Sequence, residues 1–115
     1  MNNDPLNDEQ PTPQFRGILV RPEFFDLVEY GIISASDAWL LLVIDSYVNW
    51  KDGGCFVTNK ALAAGTGKLP RQICNQLRTL KELNLISITY QNNQRRIALN
   101  PTGVMTALRN QRSDA

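Results

Sequence analysis

An α+β fold, mainly helical, with a three-helix core and a small antiparallel sheet, is predicted by three features of the chain. Residues 57–86, VTNKALAAGTGKLPRQICNQLRTLKELNLI, put apolar and polar side chains where two helices joined by a tight turn need them. Residues 86–99 then alternate apolar and polar as a half-buried hairpin does. Ahead of both, residues 34–50 form a capped stretch that is apolar around most of its circumference, as expected of a central helix.

Residues 1–14 hold three prolines and several asparagines without periodicity, and are expected to form a flexible arm. The folded domain is placed at residues 15–103. Its first part, residues 15–20, has the β-branched and apolar content of a short strand, and residues 22–30 read as a short helix ended by Gly31, with Phe24, Leu27 and Val28 inward. Ser34 and Asp37 have the spacing of a capping box, in which each side chain satisfies a backbone donor of the other, and the helix behind them is expected to run to about Trp50. Trp39, Leu42, Val43 and Tyr47 are expected to face its core, with Leu40, Leu41 and Ile44 on a second apolar face. Either residues 15–30 or a second copy of the chain must cover that second face, which makes a homodimer one expectation.

Thr58 is placed to cap the next helix, through Lys60, Ala61, Leu62 and Ala63, and Gly65 and Gly67 are expected to break it. Pro70, with its fixed φ and missing N–H, suits the first position of a following helix that runs to about Asn84. Ile73, Leu77 and Leu80, with Leu83 at the end, form the buried stripe of that helix, leaving Arg71, Gln72, Asn75, Gln76, Thr79 and Lys81 outward. Beyond it, Ile86, Ile88 and Tyr90 alternate with polar residues, as do Ile97 and Leu99. Residues 91–94 make the hairpin tip, and residues 55–57 are expected to add a third strand at the edge. Pro101 and Gly103 close the sheet. Residues 104–112 read as a last short helix within a C-terminal tail, 104–115, and as a candidate dimer contact.

The order of these elements, with SASDAWLLLVIDSYVNWKDGG before the helix pair and ITYQNNQRRIAL after it, resembles the winged helix-turn-helix domains of phage and plasmid replication initiators and related DNA-processing factors. The resemblance covers residues 33–100 and departs from the family at Leu69, where Ser or Thr is usual, so that one side-chain cap and one phosphate contact are missing. It implies duplex DNA as partner, an accessory or initiator role in replication or DNA processing, and a replication or DNA-processing enzyme as a second partner.

A net charge of +1 argues weakly against a nucleic-acid partner until the charges are located. Residues 1–52 carry nine acids and three bases, and residues 53–115 nine bases and two acids. The basic half coincides with the helix pair and hairpin, which favours a phosphate-binding face over a merely solvated one. On the second helix, Arg71, Gln72 and Asn75 are assigned to base edges, because Arg pairs with guanine and Gln or Asn with adenine bidentately. Lys68, Gln76 and Thr79 are assigned to phosphates, with Thr58 and Lys60 on the first helix beside the flanking backbone. Arg78 either joins them or lies along the core edge. Arg95 and Arg96 follow the hairpin tip, where a wing meets backbone or minor groove, although edge-strand arginines also serve simply to block aggregation.

Other chemistries are disfavoured. The chain has no histidine, the commonest general base and zinc ligand, and its acids are scattered over separate elements. No enzyme activity, metal or cofactor is expected. Gly65-Thr66-Gly67-Lys68 has the look of a phosphate loop, but Leu62 and Leu69 occupy the positions of the first glycine and the magnesium-binding hydroxyl, and the segment follows a helix. The longest apolar run, residues 38–44, is far short of the roughly 20 residues of a membrane span, and no secretory signal opens the chain. A cytoplasmic protein is expected, with Cys55 and Cys74 as reduced packing residues. Sequence-specific duplex binding is therefore the leading reading. A transcriptional repressor of a mobile element fits the same residues, and a winged-helix protein-interaction module is the alternative of a different class.

Overall fold

The computed structural model describes residues 21–48 and 53–114, with side chains as far as residue 111; the expected arm and the strand at residues 15–20 lie outside them. Along the chain come α1 (Pro22–Glu29), α2 (Ala35–Ser46), α3 (Asn59–Thr66), α4 (Pro70–Glu82), β1 (Ile86–Gln91), β2 (Gln94–Leu99) and α5 (Pro101–Asp114). The arrangement is a winged helix-turn-helix: α2, α3 and α4 pack together, and the β1–β2 hairpin follows α4 as the wing. Among the described residues no helix is long and apolar enough to cross a membrane.

The capping box at the start of α2 forms as its spacing predicts, with Asp37 N–H donating to Ser34 Oγ at 3.0 Å and Ser34 N–H to Asp37 Oδ2 at 3.2 Å. The helix is shorter than expected, ending at Ser46, and its buried face differs from the expected one. Leu40, Leu41 and Ile44 are fully buried, with Ala38 and Val43 beside them, whereas Trp39 and Tyr47 are about half exposed. An apolar stretch that runs around most of a helix does not say which side faces the core. Asp45 pairs with Arg21 at 3.0 Å, just ahead of α1. Phe24 and Leu27 of α1 cover part of α2, and Val104 and Leu108 of α5 are buried as α5 packs on α1. Phe25, Val28, Trp39 and Leu42 are left lining an open groove between α1 and α2.

Thr58 caps α3 by accepting the Ala61 N–H at 3.2 Å. Gly65 does not break this helix, which continues to Thr66 and stops at Gly67, where φ is +71°. Gly65 serves a close approach instead: a Cβ there would lie 3.1 Å from a Val43 methyl, and its carbonyl accepts the Trp39 indole N–H at 3.2 Å. The α2–α3 crossing is therefore set by a missing side chain and one hydrogen bond.

Pro70 opens α4, and Ile73, Leu77 and Leu80 are buried as the periodicity requires. Leu83 is not part of the stripe; it caps the helix and is 38% exposed. Leu69 has no oxygen to offer, and half a capping box replaces the usual hydroxyl, with Leu69 N–H donating to Gln72 Oε1 at 2.9 Å. In the hairpin Ile86 pairs with Leu99 and Gln91 with Gln94, leaving Asn92 and Asn93 as a two-residue turn. Both have positive φ, 52° and 66°, the pattern of a type I′ turn that suits strand twist and that Asn tolerates. The expected third strand is reduced to bridge pairing at residues 54–55, with Cys55 bridged to Ile97. The last helix starts at Pro101, earlier than the expected residue 104. Asn100 ties it to the end of α4, accepting the Gly103 N–H at 3.3 Å and donating Nδ2 to Asn84 O at 2.9 Å. A Cβ on Gly103 would lie 1.8 Å from that same carbonyl, so only glycine admits this contact.

Candidate nucleic-acid interface

Burial of Ile73, Leu77 and Leu80 turns the opposite side of α4 outward, and Arg71, Gln72, Asn75, Arg78 and Thr79 are all exposed there. Lys60 is exposed on the first turn of α3, and Lys68 is half-buried in the turn between the two helices. From residue 53 to the end of α4 the bases Lys60, Lys68, Arg71, Arg78 and Lys81 face a single acid, Glu82. No acid occupies the first turn of α4, so the positive end of its dipole reinforces the basic side chains. Among the described residues of the acidic half, Asp37 is held by its capping box and Asp45 by Arg21, and Glu23, Asp26 and Glu29 lie on α1, an element that packs on α2 and α5.

Individual side chains depart from their expected roles. Gln72 spends one acceptor site on the Leu69 N–H, so the amide that was assigned to a base also holds the start of its own helix. Thr79 donates its hydroxyl to the Asn75 carbonyl at 3.2 Å, the ordinary local bond of a threonine within a helix, and in that rotamer it has no proton for a phosphate. Gln76 points away from the outward face altogether: its Nε2 donates to Ser36 Oγ at 3.1 Å and to Asp37 Oδ1 at 2.9 Å. Thr58 acts as a helix cap. Cys74 is an exposed residue of α4 and not the expected packing residue, while Cys55 is fully buried. Burial pushes the Cys55 thiol up from its ordinary range, an effect partly offset by a backbone hydrogen bond at Val57 and by the charge of Arg95.

The wing arginines lie against the body of the domain. Arg95, half-buried, donates from one guanidinium nitrogen to Asn59 Oδ1 and from the other to Val57 O at 2.9 Å, fastening β2 to the approach and first residue of α3. Arg96, on the opposite face of the strand, crosses Gly54 so closely that a Cβ there would sit 2.5 Å from its Nε. Arg95 and Arg96 stand opposite Tyr90 and Thr89, on the tip side of Ile97, which is bridged to Cys55, and their long side chains turn back from the strand onto the segment that leads into α3. What projects at the tip is Gln91, Asn92, Asn93 and Gln94, all exposed, with Tyr90 at 73% exposure. Alternation had placed Tyr90 inward with Ile86 and Ile88. The structure exposes it, and the signal was available, since Tyr90 immediately precedes the expected tip.

No model of a protein family matches this chain, and no curated protein does. Among solved structures it is similar to MepR, a transcription regulator of the Staphylococcus aureus multidrug efflux pump MepA, at 20% identity over 77% of this chain and 64% of that one, with a TM-score of 0.49. This chain thus spans less than two thirds of that regulator. It is also similar to a MarR-family transcriptional regulator from Rhodococcus, at 22% identity over 83% and 66% of the two chains with a TM-score of 0.48. A third is the antimony-specific transcriptional repressor AntR, at 22% identity over 88% and 86% with a TM-score of 0.44. By their descriptions all three are regulators of transcription, and none is a replication protein.

Proposed function

We propose that this protein binds a specific site on duplex DNA through the outward face of α4 and acts by occupying that site, as a transcriptional repressor does. The observation that carries this reading is the exposed row Arg71, Gln72, Asn75 and Arg78 on a helix whose other side is locked into the core. Arginine and amide side chains in such a row match the donor and acceptor pattern of the major groove, which admits one helix. Lys60 and Lys68 supply backbone contacts to either side, and the wing tip reaches the flanking groove. The accessory replication role implied by resemblance remains the second reading, favoured by the order of the elements in residues 33–100.

The test is selection from a random duplex pool at near-physiological salt with the purified chain, followed by sequencing of what is retained. A single enriched motif is the expected result, and an inverted repeat within it would mean that two copies bind together. Retention without a motif would reduce the activity to backbone binding, and no retention would move the weight to a protein-interaction module. Placing the enriched motif across a promoter then separates the roles, since repression by the chain alone is expected of a repressor and not of a factor that serves a replication enzyme.

A further inference from the structure

The side chain of Gln76 lies on the boundary of α4 between its buried stripe and its outward row, and it is spent on neither. Its Nε2 reaches across to α2, within 2.9 Å of Asp37 Oδ1 and 3.1 Å of Ser36 Oγ. Asp37 is itself immobilised, because its other oxygen accepts the Ser34 N–H of the capping box. The amide orientation is dictated by chemistry, since turning it over would set an oxygen against the Asp37 carboxylate. The same orientation leaves Gln76 Oε1 buried without a hydrogen-bond partner among the described residues. A side chain that forgoes one hydrogen bond to be held in one place is poorly explained by stability alone.

Burial of Ile73, Leu77 and Leu80 decides which face of α4 turns inward, while the hydrophobic effect behind it is itself non-directional. A pair of hydrogen bonds of ordinary length to a fixed carboxylate and a hydroxyl is directional. We infer that Gln76 is a positioning residue and not a DNA ligand: it clasps α4 to the N-terminus of α2 and sets the rotation at which Arg71, Gln72 and Asn75 meet the base edges. This inference rests on the duplex-binding reading.

A charge swap tests it. Q76E sets a second carboxylate against Asp37, and is expected to weaken binding to the selected duplex by about tenfold or more. D37N/Q76E restores a donor and an acceptor with the roles reversed, and the amide introduced on α2 keeps an oxygen for the Ser34 N–H. The swap moves the negative charge onto the recognition helix itself, so a phosphate-contacting role for position 76 predicts that binding stays weak, whereas the clasp predicts recovery to within about twofold of the native chain. Failure of the swap to recover, or native-like binding by Q76E, overturns the inference. The neutral variant Q76M supplies a readout that folding alone does not move. It is expected to melt close to the native chain while its preference broadens at the base pairs read by α4, and an unchanged preference overturns the clasp. A native chain that retains no duplex overturns the binding reading and the inference together, which separates that failure from failure of the clasp alone.

Discussion

The outward face of α4 and the arginine pair of the wing carry the same kind of sequence signal, basic side chains on an amphipathic element, yet they end in opposite situations. On α4 the positive and amide side chains stand free of the core because three buried residues at helical spacing leave them nowhere else to go. On β2, Arg95 and Arg96 fold back onto the body, because acceptors at Val57 and Asn59 and the bare backbone of Gly54 lie within reach of their side chains. A helix period therefore reports where Arg71, Asn75 and Arg78 point, though not Gln76 at the edge of the buried stripe, while a charge on a strand reports only that it is not in the middle of the core.

That contrast can be broken or sharpened by four substitutions. The largest effect is expected from Arg71→Ala, about 2 kcal/mol of duplex affinity with relaxed preference at one base pair and an unchanged melting temperature. Titration of the selected duplex against the variant checks it, and an intact preference would remove Arg71 from the reading face. Arg95→Ala should do the reverse. Loss of its bonds to Asn59 and Val57 is expected to lower unfolding free energy by about 1.5 kcal/mol, while the slope of log affinity against log salt stays within about half a unit of native. A slope reduced by about 0.9 would instead return Arg95 to the phosphate backbone. Thr58→Ala is expected to cost about 1 kcal/mol in denaturant unfolding through loss of the α3 cap. If binding by the folded protein also collapses, Thr58 has a second role at the backbone. The smallest change belongs to Tyr90→Ala: at 73% exposure it should leave stability alone and weaken duplex binding by less than about 1 kcal/mol. No change in affinity would leave the wing tip without a role in binding.

The elements themselves were legible from local chemistry. Ser34 with Asp37, Thr58 and Pro70 mark helix starts that the structure reproduces, and the stripe Ile73, Leu77, Leu80 lies where its spacing puts it. What could not be read depended on neighbours distant in sequence. The buried face of α2 depends on which elements pack against it, and Gly65 meets Val43 and Trp39 from another helix. For the candidate site, exposure of Arg71, Gln72 and Asn75 followed from periodicity, but the fate of Gln76 did not, because Ser36 and Asp37 are brought to it only by the packing of α4 on α2. Residues of one type on one helix thus divide between a surface role and a fastening role, and only tertiary contacts tell them apart.

The bonds from Arg95 to the start of α3 have a bearing on the energetics of recognition. A β-hairpin that hangs from a domain by its backbone alone must lose its swing when it meets a partner, and that loss is subtracted from the binding free energy. Here the swing is removed when the chain folds, by a guanidinium gripping Val57 and Asn59 on the far side of the helix pair. The hairpin and the start of α3 are thereby fastened to one another before any partner arrives.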